Sequence, residues 1–225
     1  MTKPRVLDLF CGAGGAAAGY SRAGFDVVGV DINPQPRFPF TFIQADALTL
    51  PVEFIRTFHF VHASPPCQAH TAMKTMPSAK AHPDLIPATR AMLKASGKPY
   101  VIENVEGAPL LSTVTLCGCM FNLGAQGCRL QRRRQFECSF PVEQPKCSHS
   151  GREPDIGIYG GHARRRAESA GGRTTRDVWI GGHKAAASEA MGIDWMTMAE
   201  ISEAIPPAYS HFVARAWLAT QKAAA

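Results

Sequence analysis

Two short segments of the sequence carry side chains that could act together on an electron-poor carbon. Cys67 lies in residues 64–68 (SPPCQ) and Glu103 in residues 103–105 (ENV), each directly after a short apolar run. A thiolate held on a turn by two prolines suits nucleophilic attack, and a carboxyl beside apolar strands suits hydrogen bonding or proton donation to a ring nitrogen. Taken singly, each is more commonly a buried structural cysteine or a solvated acid.

A glycine-rich segment, residues 8–15 (DLFCGAGG), has the composition of a ligand-binding turn between a strand and a helix. Glycines allow the tight turn and let a ligand lie against backbone N–H groups. Asp31 ends the next apolar run, where a carboxylate can bind both hydroxyls of a ribose. The spacing is not that of a dinucleotide site, and it favours a nucleoside cofactor such as S-adenosylmethionine; an ordinary strand–helix turn is the alternative.

Two arginines are spaced to act on one face of a strand. Arg132 and Arg134 alternate within residues 130–136 (LQRRRQF), so a strand there would direct both to the same side and Arg133 to the other. Two guanidinium groups in one site could bind a carbonyl oxygen and a phosphate. The alternative is an exposed basic edge strand.

The surrounding pattern predicts the elements that would bring these residues together. Short apolar strands alternate with helices over the first half of the chain, which predicts a parallel sheet covered on both faces. The predicted strands are residues 5–10, 27–31, 41–44, 58–63 and 100–105, and the predicted helices are 16–23, 84–96, 187–191, 198–204 and 207–221. Because ligands bind at the carboxyl ends of such strands, the segments above are expected to converge there.

Charge is unevenly distributed along the 225 residues, whose formal net charge is +6. Residues 129–176 hold 11 basic and 5 acidic residues, and 10 of the basic ones are Arg. Clustered Arg favours contacts with phosphate or base edges, although a solvated basic loop explains the charge equally well. With neither a membrane-length apolar run nor a signal peptide, a soluble cytoplasmic protein without membrane contact is expected. The sequence leaves the oligomeric state open, and a monomer is favoured.

In their order along the chain, DLFCGAGG, Asp31, SPPCQ, ENV and the Arg-x-Arg pair resemble the DNA cytosine-5 methyltransferase family, especially its small phage and prophage members. The resemblance implies a Rossmann-like S-adenosylmethionine-dependent methyltransferase fold with a small irregular target-recognition insertion. The implied regions are a catalytic core at 1–112, a basic recognition region at 113–186 and C-terminal helices at 187–225. The implied partner is DNA, as a duplex or as a single strand.

The same resemblance implies roles for individual residues. Cys67 would add to C6 of a flipped-out cytosine while Glu103 bonds N3 and the exocyclic amine. Arg134 would orient Cys67 and the base, and Arg132 would contact the cytosine carbonyl or a phosphate. The residues implied to bind S-adenosylmethionine are Phe10, Gly12, Gly14, Asp31, Asp46 and Pro66. Glu203 stands where the family has an Asn close to the cofactor.

The biological role implied is protection of phage DNA or one half of a restriction–modification pair. Two other functions remain open from the sequence. An RNA cytosine-5 methyltransferase would use the same motifs, and a non-catalytic DNA-binding relative would keep the fold as a scaffold. The intact Cys67, Glu103, Arg132 and Arg134 argue against the scaffold.

The remaining cysteines are candidate metal ligands. A structural zinc site could draw on Cys117, Cys119, Cys128, Cys138, Cys147 and His149. Their spacings differ from those of common zinc motifs, in which CxxC pairs dominate. Scattered small core residues and thiols are therefore the favoured interpretation, and no metal is predicted. Seven cysteines without a secretory signal also argue against a disulfide framework.

Overall fold

The computed structural model describes residues 3–70, 82–148, 154–160, 162–166 and 182–223. The strands among them are β1 (Arg5–Leu9), β2 (Asp26–Asp31), β3 (Thr41–Gln44), β4 (Phe60–Ala63), β5 (Tyr100–Asn104), β6 (Thr113–Leu116), β7 (Gly124–Ala125), β8 (Cys128–Leu130), β9 (Arg134–Cys138), β10 (Asp155–Tyr159) and β11 (His162–Arg166). The α-helices are α1 (Gly15–Arg22), α2 (Val52–Arg56), α3 (Ile86–Ser96), α4 (His183–Met191), α5 (Met198–Glu203) and α6 (Pro207–Ala223).

The main sheet has seven strands in the order β3-β2-β1-β4-β5-β9-β6. The first five pair in parallel, whereas β9 pairs antiparallel with both β5 and β6. All five predicted parallel strands are present, within two residues of the expected bounds. The predicted α/β fold with a mostly parallel sheet is confirmed.

Helices cover both faces of this sheet because its strands are apolar on both sides. In β1, Val6 packs in a core cluster with Tyr20 of α1 and Trp217 of α6. The next residue, Leu7, packs on the opposite face with Ile55 of α2 and Leu93 of α3. Alternate side chains of a strand point to opposite faces, so one strand serves both cores.

Strand β9 begins at Arg134. The prediction that one strand carries both Arg132 and Arg134 is therefore wrong for Arg132. Residues 131–133 lie in irregular backbone between β8 and β9. Strands β6 and β9 come from region 113–186 and complete the main sheet. The boundary predicted at residue 112 therefore does not coincide with an edge of that sheet.

The remaining strands of region 113–186 that the structure describes form a smaller sheet, in the order β11-β10-β8-β7. A separate core cluster holds this sheet against α4 and α5 through Ile156, Ala187 and Ile201, among others. Within the described part of the chain, no helix is long and apolar enough to cross a membrane.

The glycine-rich turn packs closely against the C-terminal part of the chain. A Cβ added at Gly15 would lie 2.5 Å from the carbonyl oxygen of Ile205, and one at Gly19 would lie 2.1 Å from that of Pro207. Only glycine allows this approach, which joins α1 to the start of α6 and places Ala204 and Ile205 next to the turn.

Candidate active site

Cys67 follows β4 on an extended segment at the carboxyl end of the parallel sheet. The segment is tied to the sheet at its start, where the Ser64 N–H donates to the Leu9 carbonyl at 3.1 Å. Pro65 is buried, Pro66 is exposed and Cys67 is partly exposed. The fold thus places Cys67 at this edge of the sheet with part of its surface exposed, and its role as a nucleophile stays a prediction.

Glu103 and Arg134 form a largely buried ion pair on the neighbouring strands. Arg134 Nε lies 3.2 Å from Glu103 Oε1, and the two side chains are 14% and 6% exposed. Glu103 sits near the carboxyl end of β5, and Arg134 opens β9 directly beside it. A charged pair held at the edge of the sheet can orient a polar ring by hydrogen bonds.

Asn104 fixes the Cys67 segment relative to Glu103. Its side-chain Nδ2 donates to the carbonyl oxygen of Pro65 at 2.8 Å, and its Oδ1 accepts from the Val105 N–H at 2.9 Å. Asn104 is 2% exposed. Since this amide spans the two segments, it holds the thiol and the carboxyl in one constellation.

A chain of buried hydrogen bonds ends on Glu103. Tyr20 Oη lies 2.8 Å from His62 Nδ1, His62 Nε2 lies 2.9 Å from Ser64 Oγ, and the Ser64 hydroxyl bonds the Glu103 carboxyl. Burial lowers the pKa of His62 to about 3, so the ring is neutral, with one donor and one acceptor nitrogen. Because Ser64 donates to Glu103, its oxygen accepts from Nε2, and Nδ1 accepts from Tyr20.

Burial and the charge of Arg134 have opposite effects on the pKa values of Glu103 and Cys67. Burial raises the pKa of Glu103 above its ordinary value, while the charge of Arg134 and the Ser64 hydrogen bond act to lower it. Burial also raises the pKa of the Cys67 thiol, with Arg134 lowering it and Glu103 raising it. Arg134 thus stabilises both ionised forms, and without it both groups would be held more firmly in their neutral states.

Arg132 has a different environment from the one expected. It is 2% exposed, and its guanidinium donates to the carbonyl oxygens of Ala204 at 2.8 Å, Ile158 at 2.9 Å and Ser202 at 2.6 Å. These bonds join the β8–β9 connection to α5 and to β10. The expected contact of Arg132 with a substrate stays a prediction, while its bonds in this structure hold the framework behind Arg134.

The glycine-rich turn and Asp31 lie together at the ends of β1 and β2. The Gly12 N–H donates to Asp31 Oδ2 at 3.0 Å, and the Asn33 N–H donates to Asp31 Oδ1 at 2.9 Å. Phe10, Gly12 and Gly14 all adopt positive φ values. A Cβ built on Gly12 would meet nothing within 4 Å. The turn therefore faces open space beside an oriented carboxylate.

Other residues expected at this end of the sheet have mixed surroundings. Asp46 is exposed, and its Oδ1 accepts from the Leu48 N–H at 2.9 Å to cap the short 3₁₀ helix Ala47–Thr49. Glu203 is exposed at the end of α5, one residue before the segment that packs on Gly15. Ile32, which sequence reasoning missed, follows Asp31 with 63% of its surface exposed.

Three of the cysteines weighed as zinc ligands come together. The Sγ atoms of Cys117, Cys119 and Cys147 all lie within 4.8 Å of one another, so the expectation of scattered thiols is wrong for these three. Cys128 lies instead in the core of the smaller sheet, and Cys138 lies in β9, as that expectation had it. His149 lies outside the described residues.

The three consecutive arginines at 132–134 have different surroundings. Arg133 is exposed and pairs with Glu106 at 3.1 Å, whereas Arg132 is buried and Arg134 is paired. Beside them lies a cleft of about 300 Å³ lined by His70, Val105, Glu106, Gln131, Arg133, Arg134 and Tyr159. Much of segment 149–181 lies outside the described residues, so its expected phosphate contacts stay predictions.

The sequence matches no protein-family model and no curated protein. Solved structures with a similar fold include a protein named as a DNA modification methyltransferase encoded within an E. coli prophage, 14% identical, with a TM-score of 0.62 over 96% of this chain and 99% of that one. Another is the Entamoeba histolytica methyltransferase EhMeth, 10% identical, with a TM-score of 0.60 over 98% and 99%. At these identities the likeness shows a shared fold.

Proposed function

We propose that this protein transfers a methyl group from S-adenosylmethionine to C5 of cytosine in DNA. The observation that carries the proposal is the constellation of Cys67, Glu103 and Arg134 at the carboxyl end of the sheet, fixed by Asn104. The fold shared with two methyltransferases supports the reaction class, and the printed name of one of them supports DNA as the substrate.

The Cys67 thiolate would act as the nucleophile. Its sulfur forms a bond to C6 of cytosine, which makes C5 electron-rich enough to take the methyl group. After transfer, a base removes the proton from C5, the C5–C6 double bond re-forms and the sulfur–carbon bond breaks. The thiolate is thus regenerated, the methyl donor would leave as S-adenosylhomocysteine, and the net change in the DNA is one methyl group in place of one hydrogen. Because C6 is stacked inside a duplex, the base must first leave the helix.

Glu103 and Arg134 would hold the cytosine ring during addition. A protonated Glu103 donates to N3 and accepts from the exocyclic amine, which draws electron density away from C6. Burial raises the pKa of Glu103 and so favours this protonated form. Arg134 is paired with Glu103, its charge lowers the pKa of the Cys67 thiol, and it would bond the cytosine carbonyl.

S-adenosylmethionine supplies an activated methyl group on a sulfonium sulfur. The residues at the ends of β1 and β2 fit a nucleoside cofactor, because Gly12 faces open space and the Asp31 carboxylate lies directly beside it. Asp31 would bind the ribose hydroxyls, and the exposed Ile32 would pack on the adenine ring. Phe10 and Gly14 would shape the turn, with Asp46 near the adenine amine and Pro66 at the pocket wall.

The test is a direct assay of the product. Purified protein is incubated with S-adenosylmethionine labelled in its methyl group and with unmodified duplex DNA, single-stranded DNA or RNA. The nucleic acid is digested to nucleosides and analysed by mass spectrometry. We expect labelled 5-methyl-2′-deoxycytidine from DNA, and none with Cys67→Ala; Cys138→Ser serves as a matched control that keeps activity.

Each outcome separates the candidates left by the sequence. Labelled 5-methylcytidine from RNA alone would assign the RNA enzyme, and a methylated base other than cytosine would contradict the roles of Cys67 and Glu103. Binding of DNA without any methylated product would favour the non-catalytic scaffold.

A further inference from the structure

Cys117, Cys119 and Cys147 form a cluster of thiols outside the proposed active site, here called the thiol cluster. Cys117 and Cys119 flank the start of the 3₁₀ helix Gly118–Phe121, and Cys147 lies on the segment that follows β9. Cys119 Sγ and Cys147 Sγ are 3.3 Å apart, and all three sulfurs lie within 4.8 Å of one another. The chain therefore brings three soft ligand atoms together from 30 residues apart in sequence.

The sulfur positions suit a tetrahedral ion. Zinc–sulfur bonds of about 2.3 Å place the ligand sulfurs about 3.8 Å apart. The Cys119–Cys147 pair is slightly closer than this, and no pair exceeds it by more than about 1 Å, so movements of at most that order would form the site. A disulfide between Cys119 and Cys147 would need a much shorter S–S distance of about 2.05 Å.

Neighbouring backbone contacts hold the two parts of the cluster in place. Arg129 Nη1 donates to the Ser148 carbonyl at 2.7 Å, and Ser148 Oγ donates to the Cys119 carbonyl at 3.4 Å. Gly118 packs directly on β8, because a Cβ there would lie 2.2 Å from the Leu130 carbonyl oxygen. The two segments are thus arranged by contacts other than those of the sulfurs.

We infer that the thiol cluster binds a thiophilic divalent cation, zinc, through Cys117, Cys119 and Cys147. Three sulfur ligands select zinc over hard cations such as magnesium or calcium. Three thiolates leave one position of the tetrahedron for a further ligand. Bound there, the ion would join the turn after β6 to the segment that leads out of β9.

Metal binding would replace protons on the sulfurs. In this structure Cys117 Sγ donates to the Gln131 carbonyl at 2.9 Å. Zinc ligation exchanges this S–H for a sulfur–metal bond and releases the proton to solvent. Gln131 is the first residue of the irregular segment 131–133, which connects β8 to β9 and leads to Arg134. The thiol cluster therefore contacts the start of that segment.

The test measures metal on the whole protein, independently of catalysis. The chain is expressed in zinc-supplemented medium, purified with a non-thiol reductant, dialysed, and its metals are quantified by mass spectrometry. We expect about one zinc per chain. Titration of the metal-free protein with Co²⁺ should give thiolate-to-cobalt charge-transfer absorption in the near ultraviolet.

Cys147→Ser is the most informative variant because Cys147 is exposed and its loss leaves the core packing unchanged. We expect it to lose the zinc and the cobalt absorption while its far-ultraviolet circular dichroism is retained. Cys117→Ser and Cys119→Ser should behave likewise, and the control Cys138→Ser should keep the metal. Protein that binds neither ion, or Cys147→Ser that binds both as well as the parent does, would overturn the inference. So would a Cys119–Cys147 disulfide in freshly alkylated, metal-free protein.

Discussion

Cys67 and the thiol cluster differ in the groups that surround their sulfur atoms. Cys67 stands alone at the end of the sheet, partly exposed, with the charges of Arg134 and Glu103 beside it. The thiol cluster places three sulfurs close to one another, in the residues that follow β6 and β9. One arrangement presents a single sulfur to an incoming carbon, and the other presents several sulfurs to one ion.

Both sites are built from cysteine, so the groups that surround each thiol, and not the residue type, indicate which chemistry it can perform. A nucleophile needs access and a group that stabilises its thiolate, which Arg134 supplies for Cys67. A metal site needs several sulfurs at similar separations and fixed by other contacts.

The largest effect is expected at Cys67. Replacing it with Ala removes the nucleophile, so methyl transfer should fall by at least about 10³-fold while cofactor binding is retained. Initial rates with labelled S-adenosylmethionine and calorimetric cofactor binding would check both parts. Substantial activity in Cys67→Ala would contradict the assignment of Cys67 as the nucleophile, and with it the contrast between Cys67 and the thiol cluster.

Glu103→Gln should be nearly as severe. An amide cannot supply the carboxyl proton to N3, so we expect the rate to fall by about 10²–10⁴-fold. Single-turnover rates at saturating DNA would measure the loss in the chemical step. An unchanged rate with a weakened DNA affinity would reduce Glu103 to a binding residue.

Arg132→Met should act on stability, which would separate the two arginines of the Arg-x-Arg pair. It removes the guanidinium donor from the carbonyl groups of Ile158, which is buried, and of Ser202 and Ala204, which are partly buried, and should lower the free energy of unfolding by about 3–5 kcal/mol. Urea denaturation would measure this change. A fully stable Arg132→Met protein that has lost methyl transfer would instead support the substrate contact implied by the sequence.

Asp31→Asn should weaken cofactor binding, with little effect on the reactivity of Cys67 or on metal binding by the thiol cluster. The amide replaces a charged acceptor for the ribose hydroxyls, so we expect the affinity for S-adenosylmethionine to fall by about 10- to 100-fold. Titration calorimetry would give the dissociation constant. If Asp31→Asn binds the cofactor as the parent does, the nucleoside is not held at the ends of β1 and β2.

Ser64→Ala should give the smallest effect, a shift in the pH profile. Glu103 acts in its protonated form, so the rate should decline as pH rises through its pKa. The Ser64 hydrogen bond lowers that pKa, and its removal should therefore move the decline to higher pH. Single-turnover rates over a pH series would show the shift. A decline that moves to lower pH would contradict the direction assigned to the hydroxyl proton.

The parallel strands could be predicted because their apolar runs are continuous and end at recognisable polar residues such as Asp31 and Asn104. Helix α2 was missed because five residues are too short to display a helical period. The convergence of Cys67 with Glu103 followed from the rule that parallel strand ends meet at one edge. Their support by Asn104 and by His62 depends on side-chain contacts that spacing does not encode.

The thiol cluster and the role of Arg132 could not be predicted from spacing. Cys147 meets Cys119 only after β9 has joined the main sheet, and no local pattern records that return of the chain. Arg132 was placed in a strand by alternation, but β9 begins two residues later. The irregular residues before it turn the guanidinium toward α5, whose carbonyl groups lie 70 residues further along the chain.

The most direct test of the central proposal is to trap the bond between Cys67 and the base. Duplex DNA containing 5-fluorocytosine is incubated with the protein and S-adenosylmethionine. Because fluorine replaces the C5 proton that elimination must remove, the enzyme–DNA bond should persist. We expect a denaturation-resistant complex whose mass equals protein plus DNA plus one methyl group, and whose modified peptide contains Cys67. DNA methylated with no such complex, or a complex formed through another cysteine, would contradict the account.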